Sequence, residues 1–155
     1  MIKIKIPPNK SKIFIENFFI KKGLKSLLDL SKRGKPSVNQ MMVNEPYIPE
    51  LNDLYRLYQF IVLNKRTTVM EFGSGWSSLI FNLALQELKN KFSEKISNLR
   101  RNNPFELFVL ENEKKYLNIS RNRVNKFNKY LKIKKPVKIT YCYSEVEMTL
   151  FNNRI

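Results

Sequence analysis

The segment that most constrains the fold runs from Thr67 to Ser78 and reads TTVMEFGSGWSS. A short apolar run ends at an acidic residue, Glu71, and two glycines follow with G-x-G spacing. A long stretch with apolar residues at helical spacing begins at Trp76. Strand, glycine-rich turn and helix in this order open the βαβ unit of nucleotide-binding folds. The segment therefore predicts an α/β fold with a parallel sheet and a ligand site at the turn.

The carboxylate of Glu71 comes two residues before the first glycine and restricts the charge of the ligand. A dinucleotide would place a pyrophosphate beside this turn, where a carboxylate repels it. A ligand with ammonium and sulfonium groups would be attracted. An NAD(P)-binding Rossmann domain remains the alternative, although its G-x-G-x-x-G pattern requires a glycine where this chain has Ser78.

Residues 71–77, EFGSGWS, resemble motif I of the class I S-adenosylmethionine (SAM)-dependent methyltransferases, in which an acid precedes three alternating glycines. The third glycine is Ser77 in this chain. The resemblance implies a Rossmann-like three-layer sandwich with SAM as cofactor. It also implies that Glu71 contacts the methionine end of SAM and that Gly73 and Gly75 pack beneath it. A solvated or helix-capping Glu71 is the alternative, and we expect both glycines to be needed for the turn.

Three further residues of the turn are candidate cofactor contacts, each with a structural alternative. Ser74 and Ser77 could hydrogen-bond the carboxylate of the cofactor, or they could cap the following helix. Trp76 could form a wall of the cofactor pocket, or it could pack against the sheet. The sequence leaves these alternatives open.

A second candidate site lies at the end of the next apolar run, where Glu111 is followed by Asn112. In dinucleotide-binding and SAM-binding folds, an acid at this place accepts hydrogen bonds from the ribose hydroxyls. Glu111 comes 36 residues after Gly75, and a long basic helix between them would account for the large spacing. We expect Glu111 to contact ribose and Asn112 to lie beside it, with a solvated strand-end acid as the alternative. The resemblance implies adenine contacts near Tyr143 and Ser144.

Hydrophobic periodicity predicts five helices and three strands. The strands should lie in one parallel sheet with 67–72 at its centre. We divide the chain into a basic helical extension, 1–50, and a SAM-binding domain, 51–155. Class I methyltransferase sheets have seven strands, so we expect the N-terminal portion of a longer enzyme, with one apolar flank of the sheet unpaired. The predicted helices are 13–22, 24–32, 51–64, 76–96 and 113–131, and the strands are 67–72, 105–111 and 137–143.

The net charge of +16 supports a competing hypothesis, a basic nucleic-acid-binding module without catalytic activity. A bias toward Lys, Asn and Ile, the residues of AT-rich codons, would raise the charge without selecting a partner. Residues 41–80, which contain the glycine-rich turn, carry three basic and four acidic side chains. That distribution favours a cationic cofactor at the turn.

Other features exclude several classes of protein. One cysteine and no histidine argue against a disulfide framework and against a zinc site, and they predict a cytoplasmic protein without a bound metal. No apolar run is long enough to predict a membrane span. No general base stands out, so the sequence assigns neither catalytic residues nor the methyl acceptor.

Overall fold

The computed structural model describes residues 3–32, 47–97 and 103–144, except for the side chain of Ser97. Five helices and three strands lie in these ranges, and their ends differ from the predicted ends by no more than one residue. In chain order they are α1 Lys12–Lys21, α2 Lys25–Ser31, α3 Leu51–Leu63, β1 Thr68–Phe72, α4 Trp76–Ser97, β2 Glu106–Glu111, α5 Lys114–Tyr130 and β3 Lys138–Tyr143.

The three strands form one parallel sheet in the order β1-β2-β3, which confirms the predicted α/β class and strand direction. The prediction that residues 67–72 are central is wrong for the described strands. Strand β2 lies in the middle, and β1 pairs with β2 alone. The composition of β2 is consistent with this place, since Leu107 and Val109 are fully buried there.

The described helices cover one face of the sheet and leave the other face open. Leu107 and Val109 point toward the helices, whereas Met70 and Phe72 of β1 point the opposite way and are 58% and 69% exposed. The described residues therefore form two layers, and the third layer of the predicted sandwich stays a prediction. No described helix packs on the side of the sheet that carries Met70.

One acidic side chain on this open face is nevertheless inaccessible to solvent. Glu106, at the start of β2, accepts hydrogen bonds from Thr140 at 2.7 Å and Asn103 at 2.9 Å, and it pairs with Lys138 at 2.9 Å. The hydrogen bonds from Thr140 and Asn103, with a smaller contribution from Lys138, lower the pKa of Glu106 to about 2. The carboxylate of Glu106 thus stays ionised, and the ammonium of Lys138 balances its negative charge.

Three helices end in the same hydrogen-bonded turn, which redirects the chain. After α1, the N–H groups of Gly23 and Leu24 donate to Ile20 and Phe19, the pattern of a Schellman motif. Gly23 has a φ of +77° there. In the equivalent position, α3 is followed by Lys65 and α5 by Lys132, with φ of +49° and +52°. Lys65 precedes β1 and Lys132 precedes β3, so each of these turns directs the chain from a helix toward the next strand.

The N-terminal helices share one apolar core with the rest of the described chain. Phe19 of α1 is fully buried in a cluster that also contains residues of α3, α4 and β2. Lys22, Tyr58 and Glu87 add a polar contact, since the ammonium and the phenol both donate to the same carboxylate oxygen. The domain boundary at residue 50 stays a prediction. Within the described ranges, no helix is both long and apolar enough to cross a bilayer.

Candidate functional site

The carboxyl ends of β1 and β2 open into a cavity of about 720 Å³. This volume lies within the range of about 300–1,000 Å³ that is usual for small-molecule sites. The walls come from the glycine-rich turn, the start of α3 with the residues before it, and one side of α5. The lining residues are Tyr47, Ile48, Pro49, Glu50, Asp53, Leu54, Leu57, Glu71, Phe72, Gly73, Ser74, Gly75, Trp76, Ser77, Glu111, Tyr116, Ile119, Ser120 and Arg123.

Seven of the eight residues that the sequence nominated for cofactor contact line this cavity: Glu71, Gly73, Ser74, Gly75, Trp76, Ser77 and Glu111. Asn112, the eighth, is exposed and lies outside the lining, because the chain turns after Glu111 to begin α5. Tyr143 and Ser144 are also exposed and outside it. The fold therefore brings the two candidate acids and the glycine-rich turn to one cavity, and it leaves Asn112, Tyr143 and Ser144 outside.

The two glycines of the turn differ in what they require. Gly73 has a φ of +82°, a conformation that strains any residue with a Cβ. Its N–H donates to the carbonyl of Leu110 at 2.8 Å, which ties the turn to β2. Gly75 has no positive φ, and an added Cβ would meet nothing closer than Ser77 Oγ at 3.7 Å. The expectation that the backbone needs both glycines is therefore wrong for Gly75.

Glu71 is buried at the end of β1 and holds the first turn of α4. Its two carboxylate oxygens accept hydrogen bonds from the hydroxyls of Ser77 and Ser78, the latter at 2.6 Å. Burial raises the pKa of Glu71; the two serine hydroxyls oppose the rise and the nearby charge of Glu111 adds to it. The ionised form of Glu71 is therefore destabilised relative to an exposed glutamate, and a cation bound in the cavity would stabilise it.

Glu111 is buried at the end of β2 and binds the turn from the other side. One of its oxygens accepts hydrogen bonds from both the N–H and the hydroxyl of Ser74, each at 2.7 Å, and the other accepts from the N–H of Glu113 at 3.0 Å. Ser74 and Ser77 thus each donate their hydroxyl to a glutamate. Neither serves as a free donor for a cofactor carboxylate, as the sequence had suggested they could.

Trp76 lines the cavity and also packs against the apolar core, so the structure is consistent with both of its interpretations. Its indole N–H donates to the carbonyl of Tyr47 at 3.1 Å. The guanidinium of Arg123 lies 3.6 Å from the ring centroid and donates to the carbonyl of Gly75 at 2.9 Å. Burial lowers the pKa of Arg123 from its ordinary value. Arg123 thus brings a positive charge from α5 to the glycine-rich turn.

Arg123 and Ser120 were not expected from the sequence. Ser120 is 1% exposed, and its hydroxyl has no hydrogen-bond partner among the described residues. A signal was nevertheless present. Ser120 falls in the stripe with Leu117 and Val124 that the helical periodicity predicts to face inward. A serine in an apolar stripe marks either a tolerated small residue or a polar function, and its position in the cavity wall favours the second.

The charge of the cavity is opposite to that of the whole chain. Over the described ranges, the lining carries four acidic side chains and one basic one: Glu50, Asp53, Glu71, Glu111 and Arg123. The chain as a whole has a net charge of +16. Low-dielectric walls strengthen the field of such groups, so the cavity favours a ligand with a net positive charge.

Comparison with known proteins adds no independent assignment. No protein-family model matches the chain, and neither the curated protein sequences nor the solved structures give a match. Function is therefore inferred from the chemistry of the cavity and from the resemblance of residues 71–77 to methyltransferase motif I.

Proposed function

We propose that this cavity binds SAM and that the chain is the cofactor-binding portion of a class I-type, Rossmann-like methyltransferase. The observation that carries the proposal is an acidic cavity at the carboxyl ends of two adjacent parallel strands, in a strongly basic chain. SAM bears a sulfonium, an ammonium and one carboxylate, so its net charge is positive. Parallel α/β sheets bind their ligands at this edge.

Each part of SAM has a matching group in the cavity. Glu71, whose pKa is raised by burial, lies at the turn and suits the cationic methionine end. Glu111 ends the neighbouring strand and suits the cis-diol of ribose: one of its oxygens accepts a single hydrogen bond, from the N–H of Glu113, and the other could accept from ribose in exchange for the hydroxyl of Ser74. Gly73 holds the backbone of the turn between the two acids. Methyl transfer from a sulfonium depends largely on positioning, so the cofactor portion needs no general base.

The charge of the lining also separates this proposal from its rivals. NAD(P) would bring a pyrophosphate into a cavity with four carboxylates, where each close pair of like charges costs energy. A nucleic-acid backbone is polyanionic and would avoid the cavity for the same reason. A basic surface elsewhere on the chain leaves a nucleic-acid acceptor open, but it does not explain the acidic lining.

Isothermal titration calorimetry with SAM, S-adenosylhomocysteine and NAD at equal concentrations tests the proposal. We expect SAM and S-adenosylhomocysteine to bind and NAD to give no heat of binding. A DNA oligonucleotide serves as the control for charge alone, because its binding should weaken steeply with added salt and should not compete with SAM. This function would be excluded if the protein bound NAD and not SAM. It would also be excluded if the protein bound the oligonucleotide and showed no binding of SAM.

A further inference from the structure

One wall of the cavity has the opposite chemistry to the rest. Ser120 and Arg123 lie three residues apart on α5, so they share a face of the helix, and both line the cavity. The other polar side chains of the lining include the four carboxylates. A ligand in the cavity therefore meets carboxylates, which accept hydrogen bonds, and also this pair, which can donate them.

The pair has hydrogen-bonding capacity that the protein does not use. The hydroxyl of Ser120 is buried and has no partner among the described residues, which is an unfavourable arrangement unless a ligand completes it. A guanidinium has five N–H donors, and the described hydrogen bonds of Arg123 use one of them, to the carbonyl of Gly75. The guanidinium of Arg123 also lies over the indole ring of Trp76, a cation–π contact that helps to hold it in place.

The place of the pair also suits an anion. Arg123 contacts Gly75 and Trp76, the residues at which the 22-residue helix α4 begins. The N-terminus of a helix carries a partial positive charge and attracts anions. The serines of the turn are occupied, since Ser74 and Ser77 donate to the two glutamates. A carboxylate in this cavity would therefore find its donors on α5 instead of on the turn.

We infer that Ser120 and Arg123 form a carboxylate subsite, which takes the carboxylate of the amino-acid tail of SAM. The inference rests on the proposed function and assigns the one anionic group of that ligand. The ammonium of the same tail is then left to pair with a carboxylate of the lining. Recognition of both charges would distinguish a zwitterionic tail from a neutral thioether.

Four ligands separate the contribution of the carboxylate from that of the nucleoside: SAM, S-adenosylhomocysteine, decarboxylated SAM and 5′-methylthioadenosine. The variants are Arg123→Gln, Arg123→Lys and Ser120→Ala. Arg121→Gln is the matched control, because Arg121 lies on the same helix, is exposed, and stacks on Tyr141 outside the cavity. Calorimetry gives the dissociation constants, and thermal melts check that each variant is folded.

We expect Arg123→Gln to weaken SAM and S-adenosylhomocysteine by roughly 10- to 100-fold, the effect of losing a charge-assisted, forked hydrogen bond. Ser120→Ala should weaken both by about 3- to 10-fold and leave the fold intact, since it removes a buried hydroxyl without a partner. Arg123→Lys should fall between wild type and Arg123→Gln, because it keeps the charge and loses the fork. Decarboxylated SAM and 5′-methylthioadenosine lack the carboxylate, so no variant should weaken them by more than about twofold.

The outcomes distinguish the subsite from the proposed function. Equal losses for SAM and decarboxylated SAM would overturn the subsite and would make Arg123 a support for Trp76. Unchanged SAM binding in Arg123→Lys and Ser120→Ala would overturn it as well, even if Arg123→Gln does not fold. If the wild-type protein binds 5′-methylthioadenosine as tightly as SAM, the subsite fails while the nucleoside site survives. If neither ligand binds, both proposals fail.

Discussion

Replacing Glu71 with glutamine tests the electrostatic reasoning most directly, because it removes one charge and keeps the shape of the side chain. Glu71 is 7% exposed, and hydroxyls from Ser77 and Ser78 contact both of its oxygens. SAM carries two cationic groups, S-adenosylhomocysteine carries one, and adenosine carries none. If Glu71 acts on the ligand through its charge, the loss of affinity should follow that order.

The expected magnitude follows from Coulomb's law. Two unit charges about 6 Å apart interact by roughly 3 kcal/mol at an effective dielectric constant of about 20, and by roughly 0.7 kcal/mol in bulk water. Glu71 is buried although the cavity is open to solvent, so the value should lie between these limits. We expect Glu71→Gln to lower the binding free energy of SAM by about 1–3 kcal/mol, or roughly a 5- to 150-fold loss of affinity. S-adenosylhomocysteine should lose about half of that free energy, and adenosine should change by less than about twofold.

Calorimetry across a pH series adds a second readout. Because burial raises the pKa of Glu71, lowering the pH protonates it earlier than an ordinary glutamate and removes the attraction. SAM should therefore bind the wild-type protein more weakly as the pH falls through that raised pKa, and this part of the pH dependence should be missing in Glu71→Gln. Equal losses for SAM and adenosine would refute the reasoning, because they would indicate a disturbed turn. Tighter binding of NAD by Glu71→Gln, without SAM binding in either form, would end the SAM hypothesis.

Four other substitutions address the fold. Gly73→Ala should destabilise the protein by about 1–2 kcal/mol because of its positive φ, whereas Gly75→Ala should change the free energy of unfolding by less than about 0.5 kcal/mol; urea titrations that show equal effects would contradict the described turn. Glu106→Gln should lower the free energy of unfolding at neutral pH by about 1 kcal/mol. That difference should persist above the ordinary glutamate pKa and vanish as the pH falls toward about 2, where the wild-type carboxylate is protonated too; a difference that survives below that pH would refute it. Phe19→Ala should cost about 3–5 kcal/mol and shift a single thermal transition of the whole chain, because Phe19 belongs to the shared core; two separate transitions would support a domain boundary near residue 50.

The elements of this fold were predictable because their patterns are strong. Strand β2 has an unbroken apolar run between two glutamates and α5 has a regular inward stripe, so each end was placed to within one residue. Strand order was not predictable in the same way. Periodicity identifies which residues form a strand but not which neighbours that strand has, and the resemblance to seven-stranded enzymes suggested a central β1. In the described residues β1 is at an edge, because it pairs with β2 alone.

The candidate site was predictable only for residues that are consecutive in the sequence or that end two adjacent parallel strands. Residues 71–77 are consecutive, and Glu111 follows the adjacent strand, so a parallel sheet necessarily brings them to one edge. Arg123 reaches the turn from the middle of α5, and its position depends on how α5 packs beside α4. A sequence pattern gives the inward face of a helix but not the residue that this face will meet. The same limit applies to Asn112, whose direction is set by the bend into α5.

The hydrogen bonds between Glu111 and Ser74 have a consequence for the way any hydroxylated ligand would enter. Glu111 already accepts three hydrogen bonds from the protein, so a ribose hydroxyl would exchange with the hydroxyl of Ser74 more than with water. Swapping one hydroxyl for another changes little energy, whereas a new hydrogen bond contributes about 0.5–1.5 kcal/mol. Binding of ribose at Glu111 would then displace the hydroxyl of Ser74, so the contact with ribose would select for a hydroxylated ligand while it adds little net binding energy.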